Sequence, residues 1–216
     1  RRPRTTMLLA AAGLAWYSLS AISQPPAAPH ANPSLRGTLL VAAPGSIGPF
    51  AHTVVLIIDH GRDGTLGLVL NLPTKHTLRD ALPEQLQHAQ QDYRLFSGGP
   101  MQQGQLSLLL RSGQDEIPEQ MIQVTDELRY TRLTSSFDHI IATAPPRKSI
   151  RVFVGYCGWG PGQLAREIRQ GAWLLTDADA EAILAADPAT LWQRMLEHIQ
   201  GNTAPAPHGQ SSQGVI

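Results

Sequence analysis

Short apolar runs recur along most of this chain, each cut off by Gly, Pro, Asn or Asp, and that pattern predicts strands more often than helices. Residues 37–43 (GTLLVAA), 53–58 (TVVLII), 65–70 (TLGLVL), 94–96 and 105–111 (QLSLLLR) read as strands. The run 53–58 is the richest in β-branched residues, and the Asp and Gly residues of 59–64 (DHGRDG) supply the positive-φ positions of a reversal, so 53–70 predicts a β-hairpin. Asn71-Leu72-Pro73-Thr74 closes that strand, and Thr77 predicts the N-cap of a short helix over LRDAL. Residues 84–92 read as a helical continuation or loose chain, 121–130 as two short edge strands, and 135–143 (SSFDHIIAT) as a helix capped by Ser135 or Ser136. Towards the C-terminus the period changes. After a strand at 172–175, Thr176 predicts one N-cap and Asp187-Pro188 another. Leu191, Trp192, Met195, Leu196 and Ile199 then mark one apolar helix face, which Gly201 stops. Strands outnumbering short helices predict one mixed α/β domain around a curved, partly antiparallel sheet.

Between these halves lies the densest glycine stretch, 151–171, RVFVGYCGWGPGQLAREIRQG. It predicts a buried strand at Val152, Phe153 and Val154, a break at Gly155, a turn through Gly158, Gly160 and Gly162, and a helix from about Gln163. Glycines at a helix start can aim several backbone N–H groups at an anion, or can simply let backbone pack closely. The spacing matches neither G-x-x-x-x-G-K-[ST] nor G-x-G-x-x-G, and Pro161 removes one donor. Trp159 is placed to cover the turn or to stack on a ligand, and Gln163 and Glu167, one helical turn apart, face the same loop mouth. Asn71 and the Gly98-Gly99 pair stand at other strand ends. The candidate ligand-binding set is therefore Asn71, Gly98, Gly99, Gly158, Trp159, Gly160, Gly162, Gln163 and Glu167, on the condition that they converge on one concavity. Taken singly, each has a plain packing or turn-fixing reading; for Asn71 that is a bond to its own neighbouring backbone.

Composition narrows the function. Seventeen basic and seventeen acidic residues give a formal net charge of zero over 216 residues, so no molecular field draws the chain to nucleic acid and direct DNA binding is disfavoured. His52, His60, His76, His88 and His139 are scattered without ligand spacing, and no metal or cofactor is called for. The acid–histidine neighbours Asp59-His60 and Asp138-His139 read as solvated surface pairs. Cys157 is the one cysteine, which excludes an intramolecular disulfide. It reads as small core filler; the competing reading is a thiol activated by the adjoining helix N-terminus, with His52, His60 or His139 as base.

The first 23 residues differ in kind. Arg1, Arg2 and Arg4 precede the apolar run 7–22 (MLLAAAGLAWYSLSAI), with Ala21 and Ser23 as small residues before a cleavage point at Gln24. A secretory signal or an uncleaved anchor, with membrane association through 7–22, competes with an extension upstream of the true start. A Pro/Ala linker follows at 24–34, the globular domain spans 35–200, and the tail 201–216 has a disordered composition.

Read together and in this order, GTLLVAAPGSIGPFAHTVVLIIDH, GTLGLVLNLPT, SGGPMQQG, RVFVGYCGWGPGQLAREIRQGAWLLTDAD and ATLWQRML resemble the AlgH/YqgE family of bacterial proteins over roughly residues 35–199. The resemblance implies a compact α/β fold whose branched, largely antiparallel sheet rolls into a pseudo-barrel flanked by short helices. It implies no established catalytic residue and no DNA-binding motif. The family is described as uncharacterised or, by genetic association with alginate production, as regulating transcription. Two departures stand out: Gly48-Pro49-Phe50 where an Asp often precedes the aromatic, and Leu109-Leu110 where Leu-His is common. Family members are usually cytoplasmic, whereas the N-terminus points to export or the inner membrane. Together these readings predict a non-enzymatic regulatory protein that binds a small ligand or a protein partner. The alternative is an enzyme, a hydrolase or a thiol chemistry at Cys157, working in the glycine-loop pocket.

Overall fold

A computed structural model of the chain describes residues 34–84, 86, 91–112, 121–132 and 145–203. The signal-like segment and most of the linker, much of 84–92, the helix expected at 135–143 and the tail beyond 203 lie outside the described residues, as do His88, Asp138 and His139.

The apolar runs become strands for a reason visible in their burial. In β2 (Val54–Gly61) the first five residues are all buried. Val54, Leu56 and Ile58 belong to one hydrophobic cluster, and Val55 and Ile57 to another. β1 (Thr38–Ala42) divides likewise, Leu39 and Val41 to the first cluster, Leu40 and Ala42 to the second. Side chains alternate across a strand, so an unbroken apolar run is what a sheet covered on both faces requires. β3 (Gly64–Val69) returns antiparallel to β2 through Arg62-Asp63, with Gly61 opposite Gly64. The hairpin is the expected one, with a tighter turn: the polar residues Asp59 and His60 continue β2 beyond the core instead of forming the loop.

β4 (Pro73–Thr77) is a strand the pattern concealed, because its sequence PTKHT is polar and mostly exposed. Thr77 caps α1 (Leu78–Ala81) in a capping box with Asp80, as expected. β5 (Arg94–Ser97) and β6 (Met101–Arg111) follow, then β7 (Ile122–Gln123) and β8 (Leu128–Arg132). After a 3₁₀ turn at Arg147–Ser149, β9 (Ile150–Trp159) runs ten residues. It passes through Gly155, where the glycine pattern predicted a break; a φ of 71° bends the strand there without ending it. α2 (Gln163–Arg169) and β10 (Trp173–Asp177) lead to α3 (Ala180–Leu184) and α4 (Pro188–Thr203). Asp179, not Thr176, caps α3, since Thr176 is held in β10 opposite Leu39. Asp187 accepts the Ala189 N–H at the start of α4, as expected, while Gly201 lies within that helix rather than stopping it.

The strands form one sheet in the order β10-β1-β2-β3-β9-β6-β8-β7, with β5 on β9 and β4 on β5. Among the described residues every ladder is antiparallel except β5 with β9. β9 is the branch: Val152, Phe153 and Val154 pair with β5, and beyond Gly155, Cys157, Gly158 and Trp159 pair with β3. β6 covers its other edge. The sheet is the branched, largely antiparallel one expected, and among the described residues it is not closed into a barrel, because β10 and β7 end the path without a ladder between them. α3 and α4 supply Ile183, Leu191, Met195 and Leu196 to the first cluster; Leu164 of α2, Trp159 and Trp173 belong to the second. A third cluster joins Leu78, Tyr93, Leu95, Leu108 and Val152 at the α1 end.

Candidate functional site

The second cluster is open on one side, and there a cleft of about 330 Å³ lies between the end of β9, α2, the start of β10 and the loop after β1. Backbone turns set its geometry. Gly162 takes a left-handed φ of 70° immediately before α2, a position that suits glycine. At the other end Gly171 (φ 76°) reverses the chain: its N–H donates to the Ile168 carbonyl and that of Ala172 to the Glu167 carbonyl. The reversal delivers Trp173 into β10, where it pairs with Ala42 of β1.

Glu167 sits where these pieces meet. Its Oε2 accepts the indole N–H of Trp159 and that of Trp173, each at 2.9 Å, and its Oε1 accepts from Gln163 Nε2 at 3.0 Å. Gln163 in turn accepts the Gly160 N–H on its Oε1 at 3.1 Å. The amide and both indoles therefore have fixed orientations. Partial burial pushes the Glu167 carboxyl pKa up, but the N–H donors of Trp173, Trp159 and Gln163 and the nearby charge of Arg166 outweigh it and hold the group below the usual carboxylate range. The rings stand edge to face: Trp159 and Trp173 have centroids 6.3 Å apart at 79°, and Phe50 and Trp173 lie 6.1 Å apart at 67°. Ile47, 95% exposed, and Met101, 44% exposed, add an apolar rim.

The expected site residues separate into four groups. Gly158, Trp159, Gln163 and Glu167 line the cleft together. Gly160 and Gly162 shape the turn behind it, where the Gly160 N–H is taken by Gln163 Oε1 and its carbonyl by the Gln163 N–H. Those groups are turned inward on the loop itself, and α2 spans only seven residues. Gly98 and Gly99 lie against β9: a Cβ on Gly98 would come 2.4 Å from the Gly155 carbonyl oxygen, and one on Gly99 2.3 Å from Tyr156 backbone. Asn71 is placed elsewhere, its Oδ1 accepting from Val54 N–H and its Nδ2 donating to the His52 carbonyl, both at 2.9 Å. It ties the end of β3 to the start of β2 rather than fixing only its own turn.

Cys157 also borders the cleft, but it is 2% exposed and its thiol lies 3.5 Å from the Gly98 carbonyl, to which it donates. Burial pushes the thiol up to about 12, against a smaller lowering from the backbone at Val69. The geometry favours the reading of Cys157 as core filler over the competing one of a thiol activated by the helix N-terminus. Of the histidines proposed as its base, His52 packs on Trp192 at 4.3 Å and His60 hydrogen-bonds Thr65 at 2.8 Å. Asp59 forms an ion pair with Arg36 at the surface. Among the described residues no group of three or more His, Cys, Asp or Glu side chains could hold a metal ion, and no helix is long and apolar enough to cross a membrane.

Sequence reasoning passed over Phe50, Ile47, Met101 and Trp173 as site residues. It also passed over Arg151, a 5% exposed arginine that donates to the carbonyls of Leu70, Leu184 and Ala186 and lies 4.5 Å from the Phe96 ring centroid. Burial lowers its pKa to about 10, which leaves it cationic at neutral pH. Arg151 ties β9 to the end of β3 and to the C-terminal end of α3, where a cation is favoured.

The fold and this cleft can be set beside known proteins. Residues 39–204 match the family model described as AlgH-like. UPF0301 proteins of Streptomyces coelicolor and Thermobifida fusca are 34% and 36% identical to the chain, in each case over 79% of it and 90% of the relative. The solution structure of the AlgH protein from Pseudomonas aeruginosa superposes with a TM-score of 0.63 at 27% identity, covering 83% of this chain and 98% of that one. A crystal structure of a Corynebacterium diphtheriae protein gives 0.64 at 26% identity, over 79% of this chain and 87% of its own. The chain belongs to the AlgH-like family.

Proposed function

We propose that the protein is a non-enzymatic binding module with a regulatory role, and that the cleft beside α2 is where it recognises a small ligand or a partner. The observation that carries this reading is the bonding of Glu167. A catalytic acid or base needs a proton affinity tuned towards neutral pH. Glu167 has Oε2 shared by two indoles and a pKa displaced downwards, away from that range. It acts as a fixed anion that orients the walls. A volume of about 330 Å³ falls at the small end of ligand pockets, which run from about 300 to 1,000 Å³. Aromatic walls with a few placed polar groups are the usual composition of such pockets. The regulatory part rests on the family alone.

The thiol form of the enzymatic alternative would need Cys157 as nucleophile, and its burial and raised pKa argue against it. A thermal-shift screen of the full chain and of Cys157→Ala tests both readings, using a panel of metabolites and short peptides followed by indole fluorescence. We expect saturable stabilisation, about 2.7 kcal/mol at a hundredfold excess over Kd, with an altered indole signal and the same response in Cys157→Ala. The binding reading fails if no panel member shifts either protein while a chromogenic ester or thioester is turned over by the wild type and not by Cys157→Ala.

A further inference from the structure

The cleft carries information about the charge of its occupant. A carboxylate offers about four acceptor positions on its two oxygens. In Glu167 three are taken, two on Oε2 by the indoles of Trp159 and Trp173 and one on Oε1 by Gln163. One position on Oε1 is left, on a residue that lines the cleft. Phe50, Trp159 and Trp173 meet at steep angles, so their rings form the walls of a corner and not a closed stack. Ring faces carry negative potential, and aromatic walls around an anion are the arrangement that attracts an organic cation. No cationic side chain borders the cleft among the described residues. Arg166, on the same helix as Glu167, is exposed and lies outside the lining, although its charge acts on the Glu167 carboxylate.

Resting on the reading of the cleft as a binding site, we propose that it takes an alkylammonium or guanidinium group. An N–H of that group bonds Glu167 Oε1, its charge lies against Phe50, Trp159 and Trp173, and its hydrocarbon stem runs out over Met101 and Ile47. The apolar rim fits the stem: Ile47 and Met101 are exposed large hydrophobic residues beside a site too small for a large ring system. A free amine and the lysine or arginine side chain of a partner protein share this chemistry.

The test is a titration calorimetry series on the full chain with one carbon skeleton and different head groups: pentylamine, pentylguanidine, pentanol and pentanoate. The amine and the guanidine should bind at least tenfold more tightly than the alcohol, and the carboxylate should not bind. Glu167→Gln should remove that advantage, and Phe50→Leu should reduce it severalfold while leaving Glu167 in place. Should Glu167→Gln fail to fold, the head-group series on the wild type decides alone. A second arm compares a capped tripeptide centred on lysine with its norleucine counterpart. Tighter binding of the lysyl peptide than of pentylamine assigns the cation to a partner's side chain, and the reverse order to a free amine; either order supports the site. Equal affinity for pentanol and pentylamine overturns the choice of a cation and leaves the cleft as a binding site. Absence of binding by amine, guanidine and lysyl peptide alike overturns the proposal, while the wider binding reading stands or falls by its own panel.

Discussion

Glu167 accepts three hydrogen bonds, and the bonds that orient Trp159 and Trp173 also decide its ionisation. Both indoles are buried, at 7% and 6% exposure, so their N–H groups have little access to water if the carboxylate is lost. Glu167→Gln keeps the shape but puts an NH₂ where an acceptor is needed. Either an indole N–H or the Gln163–Gly160 link is then left unmatched, at a cost of about 1–3 kcal/mol. The pH dependence follows from the direction of the shift. With the folded pKa below the ordinary glutamate value of about 4.3, the stabilisation from ionised Glu167 is complete above that value. It is lost as the pH falls through the lowered folded value. Asp80, lowered by its backbone bond at Thr77, titrates in the same direction in both proteins and cancels in the comparison. Urea midpoints of the wild type and Glu167→Gln should therefore differ most near neutral pH and converge as the pH falls below about 4. A gap that stays constant on acidification would mean that shape, and not the carboxylate, holds the indoles.

At the scale of elements, the four glycines that look equivalent in GYCGWGPG are not. Gly155 combines a φ of 71° with backbone neighbours on both sides, and a Cβ there would lie 2.5 Å from the Gly99 carbonyl oxygen and 2.8 Å from that of Met101. Gly160 has nothing within 4 Å of the same position. Gly155→Ala should cost about 3 kcal/mol or more through strain and displaced strands, and Gly160→Ala should stay within about 0.5 kcal/mol of the wild type. For a domain of this size the first corresponds to a fall of about 6–12 °C in Tm by differential scanning calorimetry, and equal melting of the two variants would contradict the branch at Gly155. This contrast also shows what could be read from residues alone. Strands whose side chains fill both clusters, such as β1 and β2, announce themselves by apolar runs. β4, paired with β5, and the first half of β6, paired with β9 at Met101, carry polar or exposed side chains and no such pattern. Within the site, the spacing of Gln163 and Glu167 on one helix was legible because it is local. Met101 and Trp173 arrive through long-range register, Trp173 opposite Ala42 and Met101 opposite Tyr156, and Phe50 through a loop that sets its ring on Trp173, which no local window contains. Thr176 failed as a cap for the same reason: the β1–β10 ladder claims it first.

For the molecule as a whole, β9 is the strand whose loss would take the most with it, since it pairs with β3, β5 and β6 and contributes Val152, Phe153 and Cys157 to three different clusters. A sheet joined through one branch should open as a unit, and the chain carries its own reporter of that opening. Cys157 is the one cysteine, it lies opposite Gly67 in the β3–β9 ladder, and it is 2% exposed. With the thiol pushed up to about 12, its thiolate fraction at pH 8 is on the order of a thousandfold below that of an ordinary thiol near 8.5. Direct attack on a thiol reagent from the native state is slowed by that small thiolate fraction, in part offset by the greater nucleophilicity of a high-pKa thiolate, before access is considered. Labelling should then proceed through the opened chain, with a rate that tracks the global stability measured in urea when closing is fast relative to reaction. Destabilisation by Glu167→Gln or Gly155→Ala should accelerate labelling by the factor that each change in stability predicts, about tenfold per 1.4 kcal/mol. An occupant of the cleft that binds only the folded chain should slow it by one plus the ratio of ligand concentration to Kd, because it stabilises the closed state by that amount. Stopped-flow labelling across a urea series measures all three. Rapid labelling in the absence of urea, unaffected by either substitution, would show that the edge of the cleft opens independently of the sheet and would separate the site from the stability of the fold.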